Sequence, residues 1–160
     1  MVSKVKIIIF TVFLFAIEIA NVAVFADESA TSQNNKKSSY LITQVKSKQL
    51  KNDLDSGKNF VLIDVRGSDE YKIGHLPKSI NIPQRQLKSR IARLYPNKDT
   101  DLVLYCRTDY RAAECVYALK KMGYTNVKKL LGGFKSWGEA GYSIYNRHGE
   151  FKMLSFAKRE

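Results

Sequence analysis

Leu102-Val103-Leu104-Tyr105-Cys106-Arg107-Thr108-Asp109-Tyr110-Arg111 joins a continuous apolar run to a cysteine and a short charged segment. Apolar residues in a row, with no polar alternation, predict a strand buried on both faces, as a parallel sheet requires. Beyond Arg111, the residues Ala112, Cys115, Val116 and Leu119 recur at i, i+3, i+4 and i+7. That spacing predicts a helix, and Gly123 is suited to end it.

The same alternation extends outward in both directions. Upstream, Phe60-Val61-Leu62-Ile63 is a second buried-strand run, and Ser79-Ile80-Asn81-Ile82 a third candidate stopped by Pro83. Leu87, Ile91 and Leu94 form a helical stripe, and Val45, Leu50 and Leu54 predict an earlier helix ending at Gly57. Downstream, Val127-Lys128-Lys129-Leu130-Leu131 reads as a strand, and Gly132-Gly133 breaks into a helix around Phe134–Trp137. Strands alternating with helices predict an α/β domain with a mostly parallel sheet flanked by helices on both faces.

In such a sheet, ligands bind beyond the carboxyl ends of the strands. One run ends in Asp64-Val65-Arg66 and the other in Cys106, so both ends fall on one edge. A short loop curling into a helix N-terminus aims successive backbone N–H groups at one point and forms an anion cradle. A thiolate at its centre is stabilised by those dipoles and acts as a nucleophile. Asp64 and Arg66 read as structural partners at the crevice edge, and Glu70, four residues beyond Arg66, as a helical-turn partner for it. Cys115 falls on the apolar stripe and reads as a core residue, ahead of a disulfide or resolving partner for Cys106. His75 reads as a satisfied loop residue and Trp137 as core.

The segment CRTDYR at 106–111, after LVLY and before a helix, resembles the active-site loop of the rhodanese (sulfurtransferase) family. VLIDVRGSDEYKIGHLPKSINIP at 61–83 and KKMGYTNVKKLLGGFKSWGEAGYSI at 120–144 resemble the first half and closing segment of that family, over about residues 40–145. The resemblance implies a single rhodanese-like domain in which Cys106 takes sulfur as a persulfide from thiosulfate, a persulfide or a polysulfide. A thiol or a protein then accepts it. It implies that residues Arg107, Thr108, Asp109, Tyr110 and Arg111 hold the donor, the two arginines attracting its negative charge, and it implies no cofactor and no metal. An alternative within the same resemblance is a catalytically weak sulfur-carrier or protein-binding module. Cysteine phosphatases need Cys-x5-Arg, but the sixth residue after Cys106 is Ala112, so the shorter loop suits a sulfur atom better than a phosphate. Asp109 occupies a loop position where active members usually carry glycine. Aspartate tolerates positive φ, but its carboxylate is expected to weaken thiosulfate binding and to favour a less charged donor.

The N-terminus carries an address. Lys4 and Lys6 precede an apolar run from Ile7 to Ile17, and Val24-Phe25-Ala26 supplies small residues at a cleavage position. Residues 1–26 read as a secretory signal peptide, so the domain is expected to be exported, periplasmic or otherwise extracytoplasmic. Uncleaved, the same segment would tether it to a membrane. Residues 27–39 are polar and read as a flexible linker, and residues 146–160 as a C-terminal tail, either a short docked helix or a frayed end.

The chain of 160 residues holds 27 Lys+Arg against 15 Asp+Glu, a net charge of +12. Export argues against a nucleic-acid partner for that charge. Two cysteines and two histidines exclude a disulfide scaffold and a Cys/His zinc cluster. Most of the excess lies outside the loop, including five lysines over residues 120–135, which read as a solvated basic surface.

Overall fold

The computed structural model describes residues 42–152. The signal-peptide and linker expectations, and the last eight residues of the tail, lie outside the described residues. In chain order the elements are β1 (Thr43–Val45), α1 (Ser47–Asp55), β2 (Val61–Asp64), α2 (Ser68–Ile73), β3 (Ile80–Asn81) and α3 (Gln84–Leu94). They continue with β4 (Leu102–Tyr105), α4 (Tyr110–Lys121), β5 (Val127–Leu130), α5 (Gly133–Glu139), β6 (Ser143–Asn146) and β7 (Gly149–Lys152). The first five strands form one sheet in the order β1-β5-β4-β2-β3, and every pairing in it is parallel.

Strand alternation distributes the core to two faces. Ile63, Leu102, Leu104 and Cys106 face the side on which α3 and α4 bury Leu87, Ile91, Ala112, Cys115, Val116 and Leu119. Leu62, Val103 and Tyr105 face the other side, with Leu50 and Leu54 of α1 and Trp137 of α5. The apolar runs lack polar alternation because both faces are covered.

Sheet order positions the site. From β2 the chain moves outward to β3, returns to β4 on the other side of β2, and continues away to β5. β2 and β4 are therefore neighbours whose onward connections diverge, the switch point at which open sheets form a crevice. Register aligns Asp64 with Tyr105, so Val65 stands level with Cys106 and Arg66 one residue beyond it, at the same edge of the sheet.

Three local expectations need correction. Val45 lies on the edge strand β1, opposite Leu130, and its carbonyl accepts from the Leu131 N–H at 2.9 Å. Strand pairing holds it, and the helix starts only at Ser47. Leu94 is 45% exposed. The helix stops there, and Tyr95 packs against the core instead. The tail is neither helix nor frayed as far as residue 152, because β7 pairs antiparallel with β6. β6 is anchored by reciprocal backbone hydrogen bonds between His75 and Tyr145, at 2.9 and 2.8 Å. The hairpin thus spans the boundary expected between residues 145 and 146.

Candidate active site

Cys106 follows β4 directly and is buried, and the chain then runs through three residues into α4. Two loop carbonyls are turned onto the start of α5: Phe134 N–H donates to the Cys106 carbonyl at 2.8 Å, and Lys135 N–H to the Arg107 carbonyl at 3.0 Å. In a trans peptide the N–H points opposite the carbonyl, so the N–H groups of Arg107 and Thr108 face away from α5. Ala113 N–H donates to the Asp109 carbonyl at 3.0 Å, which closes the first turn of α4. The N–H groups of Tyr110, Arg111 and Ala112 are then first-turn donors without intrahelical acceptors, and no side chain caps them. The loop thus has its carbonyls on one side and amide donors on the other, the polarity an anion cradle requires.

Glycine makes the docking possible. Gly133 has φ +58°, and a Cβ there would lie 2.4 Å from the Thr108 carbonyl oxygen and 2.5 Å from that of Cys106. Gly132, at φ +71°, forms the turn that precedes it.

The expected donor-binding side chains behave differently from one another. Arg107, Thr108 and Tyr110 are exposed, Tyr110 at 73%. Arg111 is held by Glu70 in a two-pronged ion pair, Nη1–Oε2 at 2.9 Å and Nη2–Oε1 at 3.1 Å. Its charge is therefore balanced within the fold, and the hydrogen bond from Arg111 holds the Glu70 carboxyl below its ordinary value. Glu70 does not pair with Arg66 as its spacing suggests, because the Arg66 side chain turns back along β2.

Arg66 is buried and meets Asp64, also buried, through Nε at 3.0 Å and Nη2 at 2.7 Å. Its Nη2 also donates to the Gly74 carbonyl at 2.6 Å, and its guanidinium lies 4.0 Å from the Phe134 ring centroid. This pair ties the end of β2 to the α2–β3 connection and to the first turn of α5. Every donor of Arg66 in these contacts is directed inward, so it supports the crevice rather than offering a free cation.

Asp109 departs from two expectations. Its φ is −148°, so the loop uses no left-handed residue here. Its carboxylate turns away from the helix N-terminus: Oδ1 pairs with Lys129 Nζ and Oδ2 accepts from the Gly132 N–H at 3.2 Å. The negative charge expected inside the cradle is matched by a buried lysine. Lys129 itself was expected on a solvated surface, yet its side chain is 8% exposed. Its place on the face shared with Val127, inside an apolar strand, is the sequence signal that marks it. Elsewhere Cys115 packs in the core as a free thiol, and burial pushes it up to about 12. His75 Nδ1 lies 3.0 Å from the Tyr71 carbonyl, with its ring stacked on Tyr71.

The chain is similar to known proteins in sequence and in fold. The thiosulfate sulfurtransferase PspE of Escherichia coli is 37% identical over 73 residues, 46% of this chain and 69% of that protein. The probable adenylyltransferase/sulfurtransferase MoeZ of Mycobacterium tuberculosis is 36% identical over 92 residues, 58% of this chain. The match takes in 24% of MoeZ, so the chain spans about a quarter of that relative's length. Among solved structures, the human single domain sulfurtransferase TSTD1 is similar with a TM-score of 0.55 and 27% identity, covering 62% of this chain and 97% of that one. Residues 46–140 match the model of the Rhodanese-like domain, so the chain belongs to the rhodanese family.

Proposed function

We propose that this protein transfers sulfane sulfur through a persulfide on Cys106. The observation that carries the reading is the sorted polarity of the loop: the Cys106 and Arg107 carbonyls are engaged by α5, and amide donors are left toward the cysteine side. The Cys106 thiolate attacks the outer sulfur of thiosulfate, a persulfide or a polysulfide. A new S–S bond forms as the donor's S–S bond breaks, and the bonding pair leaves with sulfite, a thiolate or the shortened polysulfide anion, respectively. The loop and first-turn N–H groups hold the terminal sulfur without a proton transfer. An acceptor, cyanide in the assay and a small or protein thiol in the cell, then attacks that sulfur and Cys106 departs as thiolate. In this reading residues 1–26 direct the domain out of the cytoplasm, and the exported protein should begin at Asp27, which intact mass checks.

Incubation with thiosulfate should add the mass of one sulfur atom, cyanide should remove it as thiocyanate, and Cys106→Ser should do neither. A stable persulfide that no thiol or cyanide discharges would identify a carrier instead. The absence of any persulfide with thiosulfate, alkyl persulfide and polysulfide alike would exclude sulfur transfer.

A further inference from the structure

Lys129 lies in β5, which is paired on both sides, and its register partner on β4 is Leu104. That register puts it on the same face as Leu104 and Cys106. An ammonium at such depth persists only with a compensating anion. The anion is Asp109, three residues past the nucleophile, and its second oxygen is held by the Gly132 N–H at 3.2 Å. The carboxylate is thereby drawn toward β5 and the glycine turn, and away from the uncapped start of α4.

We propose that Lys129 is a positioning residue for sulfur transfer. With Asp109 it forms a charge-neutral staple that fixes the cysteine loop on the β5–α5 corner and masks the one acidic side chain of the loop from an anionic donor. The inference rests on the reading of Cys106 as the nucleophile. The other charged groups around the loop are already matched or open to solvent: Arg111 is bound by Glu70, Arg66 by Asp64, and Arg107 and Lys135 are exposed. Lys129 thus determines whether the local field at Cys106 favours or repels a negative ligand. Its loss exposes one full negative charge beside the cradle, and loss of both partners exposes none.

The test compares alkylation of Cys106 in the full-length protein by iodoacetate, an anion, and by uncharged iodoacetamide. Tryptic peptides separate Cys106 (residues 99–107) from Cys115 (residues 112–120). In Lys129→Met the iodoacetate-to-iodoacetamide rate ratio should fall about fivefold at low salt. Lys129→Arg should keep the ratio, and Asp109→Asn/Lys129→Met should restore it to within about twofold of the parent. A purely structural role would slow both reagents together and leave the ratio unchanged, which overturns the proposal. So would a double variant as low as Lys129→Met alone. If Lys129→Met does not fold, Asp109→Asn takes its place. Its unmatched lysine should raise the ratio about fivefold, and an unchanged ratio counts against the staple. Failure of the parent protein to acquire sulfur on Cys106 from thiosulfate, an alkyl persulfide or a polysulfide would instead remove the nucleophile reading on which the staple depends.

Discussion

Gly133→Ala tests the central geometric claim, that the cysteine loop is seated directly on the first turn of α5. The added Cβ would stand 2.4 Å from the Thr108 carbonyl oxygen and 2.5 Å from that of Cys106. Ordinary contact begins near 3.4 Å, so the loop must withdraw by about 1 Å, since both obstacles are backbone. Withdrawal weakens the bonds from Phe134 N–H and Lys135 N–H, each worth about 0.5–1.5 kcal/mol. Holding alanine at φ +58° adds about 1–2 kcal/mol. The total of about 2–5 kcal/mol should lower Tm by roughly 8–20 °C for a domain of this size. Displacement of the nucleophile by about 1 Å should reduce kcat about 100-fold. Thermal unfolding by circular dichroism and thiocyanate release, measured below the variant's Tm, check the two effects. Gly57→Ala is the control: φ is +71° there, but nothing lies within 4 Å of the added carbon. It should lose about 1 kcal/mol and keep its turnover. A Gly133→Ala protein that melts within about 2 °C of the parent and keeps its kcat would refute the docking account.

The remaining expectations address the supporting charges and the second cysteine. Arg66→Ala leaves Asp64 buried without its partner and should destabilise by about 3–5 kcal/mol in urea unfolding; a loss under about 1 kcal/mol would show that the pair does not brace the crevice. The Glu70 carboxyl is held below 4.5, so the folded state releases its proton more readily than the unfolded chain does. The stability from this pair is full at neutral pH and is lost as pH falls below 4.5 through the folded value. Because both side chains are partly exposed, the loss should stay under about 1 kcal/mol, and acid unfolding of Glu70→Gln should lack that component. Cys115 runs the other way: the unfolded thiol ionises near 9 and the folded one at about 12, so stability declines as pH rises between those values. Alkaline unfolding of Cys115→Ala should be flatter over that range. At pH 8 the Cys115 thiol, pushed up to about 12, stays protonated, so iodoacetamide should modify Cys106 and spare Cys115, and equal labelling of the two would contradict that raised value.

What was legible in the sequence was carried by short-range pattern. Apolar runs marked β2, β4 and β5, the i, i+3, i+4, i+7 stripe marked α4, and Gly132-Gly133 marked the break into α5. These signals survive in a single sequence because each element must bury its own face, whatever its neighbours are. The cysteine was legible for the same reason, being the residue at which an apolar strand gives way to a charged loop before a helix. Val45 and Leu94 misled because each sits at an element's boundary, where pairing with a distant strand or one further residue decides the outcome.

The partners of Arg111 and Asp109 were decided by tertiary structure. Glu70 meets Arg111 across 41 positions and Lys129 meets Asp109 across 20. Neighbours in sequence had suggested Glu70 with Arg66, and open solvent for Lys129. Which side chains meet depends on strand order and register, and the order β1-β5-β4-β2-β3 follows from packing both faces of the sheet at once. The linear pattern alone placed a cysteine at a strand end, just before a helix. Only the folded chain decided that its loop is seated on Gly133 and that a buried lysine neutralises its aspartate. An ion pair is set by distance in space, and distance along the chain does not report it.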